Sequence, residues 1–157
     1  MAIALSLKQY LDQRGAQYQV IPHVRTSTSL ASAHAAHVPA EFVVKSVILE
    51  DEDGYVMAVL PASHRLRLGM LHRVLKRNLG LATEPELAGL FQDCDLGAIP
   101  PFGTPYGLEV IVDDSLADRP DVYFEAGDHC DLIHMSARQF ERLLPQAHHA
   151  RFSERIA

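Results

Sequence analysis

The run from Phe42 to Leu49 constrains the fold more than any other part of the sequence. Apolar, mostly β-branched residues stand on both of its faces, which is typical of a central strand that is covered on both sides. Lys45 interrupts this run, and an ammonium group loses its hydration when it is buried. The lysine must therefore pair with a carboxylate, extend to an edge, or open into a cavity where it binds a ligand.

Composition predicts one soluble globular domain. The 157 residues are 48% hydrophobic and 22% charged, and neither a signal peptide nor a membrane span is expected. Cys94 and Cys130 form no Cys-x-x-Cys pair, so reduced thiols and a cytoplasmic location are expected. We predict a domain over residues 1–145 and a polar tail over residues 146–157, which includes the histidine pair at 148–149.

The net charge of −6 argues against a protein that binds long stretches of DNA or RNA, because such proteins usually carry a basic excess. One positive cluster stands out. It comprises Arg65, Arg67, Arg73, Lys76 and Arg77. A solvated helix face explains this cluster at least as well as a binding surface does.

Hairpin signals are mixed with helix signals along the chain, which indicates an α+β (mixed α/β) domain. Asp53-Gly54 is a strong hairpin turn between two apolar runs. Ser6, Thr83 and Ser136 are each followed three residues later by Gln or Glu, which predicts three helix N-termini with side-chain caps.

Two further segments are candidates for a site. The segment 97–103, Gly-Ala-Ile-Pro-Pro-Phe-Gly, has a stiff backbone that is able to approach a ligand closely. Exposed Ile99 and Phe102 would suit the wall of a small apolar pocket, although a structural turn is the alternative. Gly127-Asp128-His129 follows an apolar strand, where loops often carry chemistry, but an ordinary β-turn explains it about as well.

The sequence contains few features that favour a metal site or a cysteine nucleophile. His34 with His37, and His129 with His134, are close pairs that could ligate zinc, but no Cys-x-x-Cys or His-Glu-x-x-His is present. We therefore predict no metal and no cofactor. Cys94 lies between two aspartates, which would raise its thiol pKa and make it a poor nucleophile.

Three segments together resemble one family, the YbaK and prolyl-tRNA synthetase-associated editing domains, which are aminoacyl-tRNA deacylases. Residues 43–49 resemble the lysine strand of that family, residues 97–101 match its Gly-x-x-x-Pro loop, and residues 126–129 are similar to its late strand-to-loop segment. Order and spacing agree, and the resemblance runs from about Leu5 to Leu144.

The resemblance implies a single compact domain with a mixed, mostly antiparallel sheet surrounded by helices. It implies hydrolysis of the 3′ ester of mischarged tRNA, with Lys45 as the catalytic residue and the terminal ribose hydroxyl, not a protein nucleophile, assisting the attack. The residues that it implies for substrate binding are Ser46, Gly97, Ala98, Ile99, Pro100, Pro101, Phe102, Gly127, Asp128 and His129.

The implied partners are the acceptor end of tRNA and, for some family members, an aminoacyl-tRNA synthetase, with no membrane and no DNA. Ala98 and Ile99 suggest a small aminoacyl side chain, such as that of alanine, cysteine, serine or threonine. The alternative function is a non-catalytic module of the same fold that binds an aminoacyl group, a nucleotide or a synthetase.

Overall fold

The computed structural model of the protein describes residues 3–156, in which helices and strands alternate. The helices are α1 (Leu5–Gln13), α2 (Ser29–Ala35), α3 (Leu68–Leu75), α4 (Glu84–Leu90) and α5 (Ala137–Arg142). The strands are β1 (Gln19–Pro22), β2 (Val43–Asp51), β3 (Gly54–Pro61), β4 (His64–Leu66), β5 (Gly80–Leu81), β6 (Glu109–Asp113), β7 (Asp121–Glu125), β8 (Asp131–Ser136), β9 (His148–Ala150) and β10 (Ser153–Arg155). Within residues 3–156, no helix is both long enough and apolar enough to cross a membrane.

The main sheet has the strand order β1-β8-β7-β2-β3-β6-β9, and the short β5 adds to β2. β2 and β3 are antiparallel and meet at Asp51 and Gly54, which confirms the predicted hairpin. The pairs β1–β8, β7–β8 and β2–β5 are also antiparallel, whereas β2–β7, β3–β6 and β6–β9 are parallel. The predicted α+β domain with a mixed, mostly antiparallel sheet is confirmed.

The central strand β2 contributes to the core on both faces of the sheet. Val44 and Ile48 pack with residues of α1 and α5 on one face, and Leu49 packs with Leu71 of α3 on the other. Fully burying one such side chain contributes about 1.5–3 kcal/mol to folding. These two packed layers hold the middle of β2, where Lys45 lies, in a fixed position.

The prediction of a polar tail over residues 146–157 is wrong for its described part. β9 pairs with β6, and β10 pairs with β4 to form a second, two-stranded sheet. Phe152, between these two strands, is fully buried in the core with Leu71. A single aromatic residue among polar neighbours is a weak signal in the sequence, yet its burial fixes the course of this segment.

Two of the three predicted helix caps are confirmed. The hydroxyl of Thr83 accepts a hydrogen bond from the Glu86 N–H at the start of α4, and the Ser136 hydroxyl accepts one from the Gln139 N–H at α5. The cap at Ser6 is wrong, because α1 begins directly after Ala4 without a side-chain cap. The Ser6 N–H donates instead to the carboxylate of Asp93 (2.8 Å).

Candidate functional site

A break in strand pairing along β2 defines the candidate site. β2 pairs with β7 only at Val43 and Val44, and with β5 only at Leu49 and Glu50. Both partners lie on the side of β2 that faces away from β3, which occupies the other side. Between Val44 and Leu49, therefore, none of the strands in the described part of the chain pairs with this side. A cavity of about 300 Å³ opens there.

Four segments form the walls of this cavity. They are residues 45–48 of β2, residues 27–29 before α2, residues 81–82 with Leu87 of α4, and Gly97 with Ile99. Successive side chains of a strand point to opposite faces, so Lys45 and Ser46 reach the cavity from different faces of the sheet. An opening at the edge of a strand thus brings together residues that a complete sheet would separate.

Lys45 is half-buried in this cavity. Among the residues that the structure describes, no carboxylate lies within 4.0 Å of its ammonium group. Burial lowers the pKa of Lys45, and no anion among residues 3–156 offsets that effect. Of the three alternatives for this lysine, the structure excludes pairing with a described carboxylate and places the side chain at a cavity.

Two other depressions are larger, at about 520 Å³ each, but their cations are engaged. In one, Arg25 pairs with Asp95 at 3.1 Å; in the other, the Arg14 guanidinium lies over the ring of Tyr10, 4.2 Å from its centroid. The cavity at Lys45 is therefore the stronger candidate for an anionic ligand.

The segment 97–103, here called the proline loop, closes one side of the cavity. The Ser46 hydroxyl donates a hydrogen bond to the Ile99 carbonyl (2.9 Å), which ties the loop to β2. Gly97 has a φ of +82°, and a Cβ on this residue would lie 2.9 Å from the Ser27 carbonyl oxygen and 3.1 Å from the His129 ring. Only glycine fits this position without strain, so bare backbone faces the site.

The expectation that Ile99 and Phe102 are exposed is wrong, because both side chains are buried. Phe102 packs against the rings of Tyr10, Phe124 and Phe140 in the core, with ring centroids 5.1 to 5.8 Å away. Ala98, Pro100 and Pro101 are buried as well. Of this loop, Gly97 and Ile99 line the cavity. Phe102 anchors the loop to the hydrophobic core.

None of the three late residues, 127–129, lines the cavity, but one of them contacts the proline loop. Gly127 packs against Ala4, and the Asp128 carboxylate accepts hydrogen bonds from the N–H groups of Cys130 (3.0 Å) and Asp131 (3.1 Å). These two residues shape the turn and do not line the cavity. His129 is different: it is 4% exposed, and its ring lies against Gly97 while Nε2 donates to the Leu96 carbonyl.

Glu125 is not among the candidate residues predicted from the sequence. It ends β7 with 1% exposure, and neither of its carboxylate oxygens has a hydrogen-bond partner within residues 3–156. Burial raises the pKa of Glu125 to about 7, and the negative charges of Asp128 and Asp131 add to this shift. An acid at the end of an apolar strand is a weaker signal than a lysine in the middle of one, because a strand end is often exposed.

Three of the five residues of the positive cluster are engaged in ion pairs, whereas Arg73 and Lys76 are exposed. Arg65 and Arg67 pair with Glu154, and Arg77 pairs with Asp51 at 2.7 Å. The pKa of the Cys94 thiol is raised to about 12, as predicted in direction, but burial is a larger cause than the neighbouring aspartates.

The histidine pairs do not belong to a larger ligand set. Over the described range 3–156, no three His, Cys, Asp or Glu side chains are arranged to hold a metal ion. His134 stacks on Tyr123, with ring centroids 4.3 Å apart, and lies 3.2 Å from the Asp121 carboxylate.

One known protein family matches most of the chain. The family described as the aminoacyl-tRNA editing domain matches residues 22–143, a range that contains Lys45, the proline loop and His129. The chain belongs to the aminoacyl-tRNA editing domain family. No curated protein matches this editing domain.

Solved structures share the fold of this editing domain. One, titled "Crystal structure of a putative trans-editing enzyme for prolyl tRNA synthetase", is 25% identical, with a TM-score of 0.84 and 96% of each chain covered. A hypothetical protein is 24% identical (TM-score 0.84), covering 95% of this chain and 99% of its own. A scaffold protein from computational epitope grafting is 23% identical (TM-score 0.83), covering 98% and 97%. The latter two similarities show the fold alone.

Proposed function

We propose that this protein deacylates mischarged tRNA by hydrolysing the 3′ aminoacyl ester, with a small amino acid as the product. The observation that carries the proposal is Lys45, a half-buried cation that has no carboxylate partner among the described residues and lies in a cavity. Membership of the editing-domain family supports this class of reaction.

The chemistry requires stabilisation of one developing negative charge. Water adds to the ester carbonyl carbon and gives up a proton while charge builds on the carbonyl oxygen. The bond to the ribose oxygen then breaks as that oxygen takes up a proton, which leaves the free amino acid and the ribose hydroxyl. The Lys45 ammonium and backbone N–H groups of the proline loop stabilise the oxyanion, which lowers the barrier by a few kcal/mol. The neighbouring hydroxyl of the terminal ribose assists the attack, and no metal or cofactor takes part.

The cavity walls favour a small aminoacyl side chain, such as that of alanine, cysteine, serine or threonine. Ile99, Val47 and Leu87 are apolar, and the cavity holds about 300 Å³. An apolar pocket discriminates one methylene by only about 1–3 kcal/mol. Replacing Ile99 by alanine should therefore shift preference toward bulkier aminoacyl groups by roughly ten- to a hundredfold.

Charge limits how much of a tRNA the protein contacts. The net charge is −6, and Arg65, Arg67 and Arg77 are paired with acidic side chains. We propose that only the acceptor end is bound, in the cytoplasm, and that an aminoacyl-tRNA synthetase such as prolyl-tRNA synthetase helps to deliver it. The second candidate function is a module of the same fold that binds a synthetase or an aminoacyl group without hydrolysing it.

A panel of mischarged tRNAs tests the proposal. The protein is incubated with tRNAs that carry alanine, cysteine, serine, threonine or a bulky amino acid, with and without prolyl-tRNA synthetase, and release of each amino acid is measured. We expect release of one or more of the small amino acids by the wild type and not by Lys45→Ala. Binding without release of any of them would favour the non-catalytic module instead.

A further inference from the structure

The proposed hydrolysis does not use the buried carboxyl of Glu125. We infer that Glu125 is a positioning residue, which fixes the ring of His129 and through it the Gly97 end of the proline loop. Only the catalytic consequence of this inference rests on the proposed function; the arrangement of the two side chains stands on the structure.

His129 holds the loop through its ring. The backbone of His129 has a φ of +60°, and its carbonyl accepts a hydrogen bond from the Thr26 N–H (3.2 Å). Its Nε2 contacts the carbonyl of Leu96, the residue directly before Gly97. Because a carbonyl only accepts hydrogen bonds, Nε2 must carry the proton of this bond.

Glu125 faces the other ring nitrogen. Its Oε2 lies 3.7 Å from His129 Nδ1, and within residues 3–156 neither group has a hydrogen-bond partner. With Nε2 protonated, Nδ1 either has a lone pair that suits a protonated carboxyl or an N–H that suits a carboxylate. In both cases a single proton shared by the two side chains would satisfy both, once the 3.7 Å separation closes to hydrogen-bond distance.

Three groups besides His129 act on Glu125. The Ser32 hydroxyl comes close enough to oppose part of the pKa shift of Glu125. It is also hydrogen-bonded to the Thr26 hydroxyl at 2.6 Å, and when it donates that bond it has no proton left for Glu125. Asp128 and Asp131 are the other charged groups that act on Glu125, and both disfavour its ionised form. Neither aspartate offers a proton to the pair when it is ionised.

Without a proton from Glu125, the neutral ring would leave Nδ1 buried and unsatisfied, which is costly. A ring that turned or became mobile would release the Leu96 carbonyl, and Gly97 would shift relative to Lys45. A displacement of about 1 Å at a reacting site is able to cost a hundredfold in rate. Glu125 therefore acts on the site without touching the substrate.

Two variants of Glu125 separate positioning from simple packing. Glu125→Gln keeps an N–H donor for Nδ1, whereas Glu125→Met keeps the size and removes every polar group. Ser32→Ala is the matched control, because it alters the same buried cluster without removing the group that faces His129. For each protein, the His129 tautomer is measured by ¹⁵N NMR, together with melting temperature and deacylation kinetics.

We expect Glu125→Gln to retain the Nε2–H tautomer and wild-type kinetics. Glu125→Met should lose the single tautomer and about tenfold or more in kcat/KM. Its melting temperature should fall as well, because Nδ1 of His129 is left buried and unsatisfied. Ser32→Ala should lower the melting temperature but leave the tautomer unchanged. The inference is overturned if Glu125→Met keeps the wild-type tautomer, or if Glu125→Gln is as impaired as Glu125→Met. Should the wild type deacylate nothing, the proposed function fails, and the tautomer measurement still decides the role of Glu125.

Discussion

At the scale of single residues, we expect Lys45 to lower the stability of the fold while it supports deacylation. Its ammonium is half-buried with no carboxylate partner among the described residues, and burial lowers its pKa, so the charge costs folding energy. Lys45→Met and Lys45→Ala should therefore melt at the same or a higher temperature while deacylation falls by about a hundredfold or more. Lys45→Arg should also be impaired, because a planar fork does not replace a compact ammonium.

Melting temperatures and single-turnover deacylation rates on these variants provide the test, with Lys8→Met as a lysine control at an exposed ion pair to Asp12. A lysine held for structure predicts the opposite result. Breaking one side of a buried ion pair costs about 3–5 kcal/mol, so a large drop in melting temperature with wild-type turnover would remove Lys45 from catalysis.

Glu125 gives the stability of the protein a pH dependence. Burial raises its pKa from 4.5 to about 7, so the folded protein keeps a proton that the unfolded chain releases between these values. This contribution to stability is complete below about pH 4.5 and is lost as the pH rises to about 7, by about 3 kcal/mol. Glu125→Gln should lack the slope, as urea unfolding at about pH 5 and about pH 8 would show. Parallel pH profiles for the two proteins would contradict the raised pKa.

At the scale of elements, the proline loop depends on a glycine that tolerates no side chain. Gly97→Ala would add both backbone strain at φ +82° and a contact of 2.9 Å with the Ser27 carbonyl oxygen. Gly107→Ala is the matched control, since Gly107 has a φ of +71° and open space around it. Both variants should lose about 1–2 kcal/mol from strain, but only Gly97→Ala should lose more stability and its deacylation activity. Equal losses in melting temperature and rate would remove the close approach from the mechanism.

Elements with local signals were predictable, and contacts between distant segments were not. The Asp53-Gly54 turn, the caps at Thr83 and Ser136 and the strand around Lys45 follow from neighbouring residues, and all are present. The burial of Phe102 depends on rings from α1, β7 and α5, and the pairing of β9 and β10 depends on β6 and β4. Secondary-structure propensity depends on neighbouring residues and does not indicate contacts with distant segments. The sequence therefore predicts an exposed loop and a C-terminal tail.

At the scale of the whole molecule, the site is built from one central strand and three segments that converge on it, and no step of the proposed reaction needs a metal. Deacylation should therefore survive exhaustive treatment with a chelator. The measurement compares rates before and after chelation, and again after zinc or magnesium is added. Activity that disappears and returns only with a metal would contradict the proposed mechanism.

The break in strand pairing along β2 also bears on association between molecules. An unpaired strand edge is a template for strands of other chains and a common origin of aggregation. Here the open edge is bounded by β7 at Val44 and by the segment after β5 at Ile48, whose carbonyl accepts a hydrogen bond from the Ala82 N–H (3.0 Å). The distance between these two residues is about 13 Å at roughly 3.3 Å per residue. An extended strand from another protein finds both ends of the groove blocked, whereas a compact ligand, such as the proposed terminal group of a tRNA, would enter from the side. The fold thus leaves a short stretch of main chain open to a small ligand, while the flanking segments prevent strands of other molecules from pairing with it.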